Sequence, residues 1–385
     1  MAFSYHQTVP VVFGNGAISV LGEKVAELGC KKVLCVYDSG VLAAGIAPKA
    51  EASLAAAGVE YVVFDQVKSD PADELVNECG ALARKEKVDG VVAVGGGSSM
   101  DCAKAAALLV THEPPIQQYF TAPPCFVHCD IPIIHVPTTA GTGSEVTEVA
   151  VITKSDDHSK PAIFLNSAMA IVDPELTLTV PKSVTAYTGL DALTHAMEAI
   201  TSRNRNPHSE VLALAAIRKI AEFLPQAYDD GSNLTARYEM CLAANWAGIA
   251  FTDTDCHLGH AMADGISSKF HTPHGVNCIL SDAEIIGACA AVVPDKVQLI
   301  GEALGASFPE NADAETIGSI TSAAIRALMR RVEIKSAKEM GFDRDEFIDR
   351  YHIVMEIDLG LRMDCPLEVT PELVKSLYER IYDNY

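Results

Sequence analysis

Positive charge is scarce in this chain: 29 Lys and Arg stand against 51 Asp and Glu, a formal net charge of -22 over 385 residues. Nucleic acids and anionic membrane surfaces are held by basic patches, so the balance argues against both as partners. Long apolar runs are also lacking. Stretches such as residues 103–110 and 211–217 fall far short of the roughly 20 residues a membrane span needs. The first residues, MAFSYHQTVPVVFG, show no basic flank, apolar core or small-residue cleavage site, so a cytoplasmic protein is expected. No CxxC pair occurs, and eleven scattered cysteines are not a disulfide framework. Cys125 and Cys129 bracket His128, but a second tight ligand pair is missing, which disfavours a zinc knuckle. Reduced thiols are the expectation.

What is present is ample core material: 49% of residues are hydrophobic and 21% charged. A chain of this length exceeds what one core usually serves, so two domains are expected. In the first half, β-branched runs alternate with helical patterns. Strands are expected at 32–37 (KVLCVY), 61–64, 90–94 (GVVAV) and 133–136, with helices at 17–28, 43–57, 73–86 and 100–110. Apolar, non-alternating strands separated by helices indicate a parallel α/β sheet. Short runs at 149–153, 163–165 and 170–172 follow, and then the patterns become long and helical, as at 209–223, 312–331 and 371–382. The expected division is an α/β domain over 1–182 and an all-α domain over 183–385.

Two loops carry the signature of a phosphate site. GVVAVGGGSSMDCAK runs from a strand through Gly95, Gly96 and Gly97 into a helix. There Ser98, Ser99 and the helix N-terminus offer donors to a pyrophosphate. The alternative is a tight strand–helix turn with a serine cap, and the run is not a GxGxxG fingerprint. HVPTTAGTGSE follows a later strand and presents Thr138, Thr139, Thr142 and Ser144. On its own it also reads as a surface turn, but two donor-rich loops at strand ends together favour a dinucleotide. Asp38 closes the strand KVLCVYD. It either accepts from ribose hydroxyls, which favours NAD over NADP, or caps the next helix.

A second constellation lies in the helical half. GLDALTHAMEA places Asp191 and His195 four residues apart, on one helix face. LGHAMAD and FHTPHG add His260, His271 and His274. One carboxylate and three imidazoles, with no thiolate, suit Fe(II), Zn(II), Mn(II) or Co(II). A cation held there acts as a Lewis acid on an alcohol or carbonyl oxygen during hydride transfer.

The motifs GGGSSMDCAK, PTTAGTGSE, VDPELTLTVPKSVTAYTGLDALTHAMEA and TPHG, in this order, resemble those of the iron-containing (group III) alcohol dehydrogenases. The resemblance spans essentially the whole chain. It implies an N-terminal nucleotide-binding α/β domain followed by an all-α metal-binding domain, the layout shared with dehydroquinate synthase. It implies NAD, with Fe(II) or alternatively Zn(II), and metal ligands at Asp191, His195, His260 and His274. Its nucleotide contacts fall on Asp38, Gly96, Gly97, Ser98, Ser99, Thr138, Thr139 and Thr142, and extend to Val149, Lys160 and Leu178. Lys160 otherwise reads as a surface lysine. Small alcohols or aldehydes are the implied substrates, and a homodimer or larger homo-oligomer the implied assembly. One position departs: where many members carry another histidine four residues after the third ligand, this chain has Asp264. Either Asp264 faces a substrate hydroxyl, with His271 restoring an imidazole nearby, or it anchors a ligand histidine. The competing function is a metal- and NAD-dependent lyase like dehydroquinate synthase. It needs a basic pocket for phosphate and carboxylate, and no Lys/Arg cluster accompanies these histidines.

Overall fold

The computed structural model describes residues 3, 5–7, 9–121, 124–156, 159–356 and 359–385. The chain forms two compact units: residues 7–139 with 143–180, and residues 181–385 with 1–6 and 140–142.

The first unit is built on a six-stranded parallel sheet. Its strands are β1 (Val11–Phe13), β2 (Lys32–Asp38), β3 (Glu60–Val67), β4 (Gly90–Gly95), β5 (Ile133–Pro137) and β8 (Met169–Val172), in the order β1-β8-β5-β4-β2-β3. A separate antiparallel pair joins β6 (Val149–Val151) to β7 (Ala162–Phe164). The central strand β4 is buried at every residue and lies between β2 and β5. Helices cover both faces of such a sheet, which explains why these strands read as continuous apolar runs rather than alternating ones. Two apolar clusters result, one containing Leu34, Val91 and Leu108, the other Val33, Val92 and Leu54.

The expected strands are present, and β1 is an addition: three residues are too few to show periodicity. Two expected helices are interrupted. Residues 17–28 become a 3-10 turn, Ala17–Val20, and a helix, Leu21–Glu27. Residues 43–57 break at Gly45, whose φ is 70°, leaving the helices Ser39–Ala43 and Ala47–Ala56. The left-handed turn there is open to glycine at little cost.

Among the described residues, the regular elements of the second unit are all helices. Its longest helices are Lys182–Thr201, Pro207–Asp229 and Leu234–Thr252, which pack on one another. Leu190, Leu193, Met197, Ile217, Ile220 and Ile279 are fully inaccessible in its core. Burying each such side chain contributes roughly 1.5–3 kcal/mol before entropy is counted. Lys182–Thr201 is therefore fixed from several sides, and it is the helix that carries Asp191 and His195.

Candidate metal centre and nucleotide loops

Three helices supply the histidine-rich site. Lys182–Thr201 carries Asp191, His195 and Glu198 at successive turns of one face. Leu258–Phe270 carries His260, and His274–Cys289 begins with His274. The helices approach closely because two glycines permit it. A Cβ on Gly275 would lie 2.2 Å from the Tyr187 carbonyl oxygen and 3.0 Å from the Asp191 Cβ. One on Gly259 would lie 1.9 Å from Asp282 Oδ1 and 2.1 Å from Glu198 Oε1.

The result is a convergence of ligand atoms. Asp191, His260, His274 and Cys278 each place one within 4.8 Å of all the others, and His195, Cys256 and His260 form a second such group. His260 belongs to both, and its ring stacks 4.8 Å from that of His195. Phe251 lies 4.3 Å from the other side of His195. His274 Nε2 is 3.9 Å from Asp191 Oδ1 and 3.4 Å from Cys278 Sγ. Asp191 Oδ1, His195 Nδ1 and His260 Nε2 are buried with no hydrogen-bond partner. Buried polar atoms of this kind are costly. Asp191 and His274 converge with His260 in one group and His195 meets His260 in the other, so His260 links the two, and a carboxylate with imidazoles is a donor set that fits a divalent metal.

The electrostatics are mixed: His195 is held down, whereas His260, despite burial, is raised well above its usual range by Cys256, Cys278 and Glu198. Burial pushes the Asp191 carboxyl up to about 6. Burial, with His260 and His274 nearby, pushes His195 well down, so it is a neutral imidazole, the form that ligates. Behind the site, Glu198 accepts from His260 Nδ1 at 3.0 Å and from the His257 and His260 amides. Burial opposes its ionisation, but the charges of His257 and His260 and these hydrogen bonds outweigh it and hold the carboxyl low. The bond to Nδ1 leaves His260 Nε2 as the outward donor. Asp282 lies beside Glu198, and burial together with that neighbouring charge pushes its carboxyl well above the usual carboxylate range.

Glu198, Asp282, Cys256 and Cys278 were not singled out from the sequence. For Glu198 and Cys278 the signal existed: each follows a histidine by one helical turn, the spacing that linked Asp191 to His195. Two buried thiols, Cys256 and Cys278, border the carboxylate–imidazole set expected from the sequence. Asp264 sits one turn after His260 and is partly buried. Its neighbourhood includes Tyr378, whose hydroxyl donates to the Met262 carbonyl. His271 is exposed at the left-handed C-terminal cap of its helix, φ 51°, and neither converging group includes it.

In the α/β unit the glycine turn leads into the helix Gly97–Thr111, whose N-terminal residue Gly96 provides no side-chain cap. Its first-turn amides suit a pyrophosphate. Ser98 Oγ accepts from the Asp70 amide, and Asp70 pairs with Lys160 at 2.7 Å, so Lys160 belongs to the surroundings of this turn. Ser99 is buried, with Oγ 3.5 Å from Asp38 Oδ2. Asp38 Oδ1 caps the following helix by accepting from the Gly40 and Val41 amides. The Thr138 amide donates to the Gly95 carbonyl, which ties the threonine loop to the glycine turn, and Thr139 lies against Gly96. Thr142 groups with the helical unit.

Lys104, unremarked in the sequence, organises the second loop. It is fully buried and donates to the Ser144 carbonyl and hydroxyl, to Thr147 Oγ1 and to the Val149 carbonyl. Burial lowers its ammonium to about 8 despite Asp101 nearby. Leu178 is half-buried just past the turn Pro174–Thr177. Asp173, in the VDPEL motif, accepts from the Gly16, Ile18 and Glu175 amides, so that motif staples the N-terminal segment to the end of β8.

Family comparison agrees with this geometry. Residues 9–174 match the iron-containing alcohol dehydrogenase model, and residues 185–382 match the C-terminal model of the Fe-containing alcohol dehydrogenase family. The chain belongs to the iron-containing alcohol dehydrogenase family, and its architecture is that family's: a parallel α/β unit followed by a helical one. A choline dehydrogenase of Bacillus subtilis (strain 168) is 36% identical over 348 residues, covering 88% of this chain and 85% of the relative. The crystal structure of a 1,3-propanediol oxidoreductase superposes with a TM-score of 0.92 at 32% identity, covering 99% of this chain and all of the other. A sulfoacetaldehyde reductase from Bifidobacterium kashiwanohense, solved in complex with NAD+, gives 0.90 at 28% identity, with both chains covered completely. No described helix is long and apolar enough to cross a membrane.

Proposed function

We propose that this chain is a metal-dependent, NAD-linked dehydrogenase that interconverts a small alcohol and its aldehyde or ketone. The observation that carries the reading is the set of buried, partnerless donor atoms on Asp191, His195 and His260, with His274 beside them. These four residues hold the cation, Fe(II) or alternatively Zn(II). Asp38, Gly96, Gly97, Ser98, Ser99, Thr138, Thr139, Thr142, Val149, Lys160 and Leu178 form the nucleotide site, on a domain division at 182/183. When bound, the metal supplies Lewis acidity toward a substrate oxygen and the nicotinamide supplies or takes the hydride.

The chain's own residues do the positioning. Glu198 fixes the tautomer of His260, and Phe251 fixes the ring plane of His195. Lys104 holds the threonine loop in one shape. Asp38 presents Oδ2 on the side away from its cap, where it would accept from a ribose hydroxyl and repel a 2′-phosphate.

The relatives are named for a cationic alcohol, a neutral diol and an anionic aldehyde, so the family scaffold does not set substrate charge. In this chain Asp264 adds negative charge one turn from His260, which disfavours anionic substrates and favours neutral or cationic alcohols. His271, exposed at the C-terminal end of the helix that carries Asp264, would restore an imidazole near that residue.

The test is absorbance at the reduced nicotinamide band with metal-stripped protein, NAD, added Fe(II) or Zn(II), and a panel comprising 1,3-propanediol, choline and a hydroxy acid. The reading expects metal-dependent reduction with the diol or choline and little with the acid. Absence of metal-dependent turnover on every alcohol contradicts it.

A further inference from the structure

Cys278 lies one turn beyond His274 on the helix His274–Cys289 and is completely buried. Its Sγ is 3.4 Å from His274 Nε2, and it shares the 4.8 Å group with Asp191 and His260. For a cation with nitrogen at about 2.1 Å and sulfur at about 2.3 Å, a tetrahedral edge between the two spans about 3.6 Å. The observed 3.4 Å, which without an ion is a thiol–imidazole hydrogen bond, is also close to the spacing of two ligands on one ion. Asp191 Oδ1 and His260 Nε2, both buried and partnerless, are aimed into the same group. Cys256, the other thiol, converges only with His195 and His260.

We propose that Cys278 joins Asp191, His260 and His274, the residues it converges with, as a ligand of the metal in the position otherwise given to His195, making this a mixed carboxylate–imidazole–thiolate centre; the inference rests on the metal site proposed above. As the sulfur–metal bond forms, the S–H bond breaks and its proton leaves to solvent. Two anionic ligands, Asp191 and Cys278, neutralise a divalent cation. The centre is then softer and a weaker Lewis acid than one built from a single carboxylate and imidazoles, and it selects Zn(II) or Co(II) over Mn(II) and Mg(II).

The test uses the intact protein, stripped and reloaded with Co(II) or Zn(II). X-ray absorption of the Zn(II) form should show a sulfur scatterer at about 2.3 Å. The Co(II) form should show a thiolate-to-cobalt charge-transfer band in the near ultraviolet, lost in Cys278→Ser and retained in Cys256→Ser. The wild-type scattering needs no variant, so a folding defect in Cys278→Ser does not blunt the test. Bound metal with only nitrogen and oxygen scatterers overturns the thiol ligand while leaving the metal site standing. A band lost in Cys256→Ser instead overturns the assignment to Cys278. Failure of the wild type to bind either ion overturns both the thiol ligand and the metal site.

Discussion

The two donor-rich regions of this molecule are built on opposite principles. In the α/β unit the polar side chains around the loops are largely spent on the protein itself. Asp38 caps a helix, Ser98 and Lys160 meet at Asp70, and Lys104 makes four hydrogen bonds in the threonine loop. On the proposed reading, a nucleotide would dock there on a scaffold already complete. In the helical unit the side chains that converge are held from behind, by Glu198 and Phe251, while their forward atoms are buried without partners. On the proposed reading, that site would be finished by a cation. The difference teaches that cofactor affinity here depends on loop shape, whereas metal affinity depends on individual atoms.

The sharpest way to break the comparison is to remove one such atom. His260→Ala should abolish stoichiometric metal binding and lower kcat/KM by about 10³-fold or more, since a Lewis acid supplies several kcal/mol to the transition state. Metal analysis alongside steady-state kinetics checks both. Glu198→Gln should be milder: the ring of His260 remains but loses its anionic anchor, and metal affinity should fall by about 10- to 100-fold. Competition with a chelator measures this. An unchanged affinity would mean that packing alone aims His260.

Lys104→Met probes the other region. It removes the ammonium that donates to the Val149 carbonyl, at a cost of about 1–3 kcal/mol, while the Ser144 carbonyl keeps the Thr147 amide and hydroxyl. It should raise KM for NAD while metal content stays at the wild-type level. Its pH signature has a definite sign. The native ammonium is lowered to about 8 from 10.5, so between those values the unfolded chain binds a proton that the native chain does not. Stability from this residue therefore rises with pH across that window. Thermal unfolding of wild type and Lys104→Met from pH 7 to 10 should show the slope difference, and parallel curves would remove the buried ammonium from the account. The smallest effect expected is that of Asp38→Asn. An Asn still caps the helix, so stability should change by less than about 1 kcal/mol. The preference for NAD over NADP should narrow, as read from the ratio of kcat/KM values.

The fold was well announced in the sequence because its central strands are buried on both faces and read as unbroken apolar runs. Interruptions were not, because a left-handed residue such as Gly45 breaks a helix without disturbing the apolar count. At the site, Asp191 and His195 were visible because they share one helix and one turn. The cluster His260, His271 and His274 was visible too, but which of these meet Asp191 and His195 was legible only through resemblance, since helices far apart in sequence bring them together. Glu198 and Lys104 stayed hidden for a different reason. A Glu or Lys inside a helical pattern reads as a solvated face, and only tertiary packing shows both to be completely buried. Asp38 illustrates a choice that sequence leaves open: one carboxylate oxygen caps the helix and the other is turned toward Ser99.

The most direct test of the central claim, that a cation completes the helical unit, is the unfolding temperature of the metal-stripped protein with and without Zn(II), in wild type and His260→Ala. At metal concentrations about 1,000-fold above Kd, binding to the native state alone adds about 4 kcal/mol. The account predicts a rise of several degrees in the wild type and none in the variant. An unfolding temperature indifferent to metal in the wild type, or an equal rise in both proteins, would contradict it.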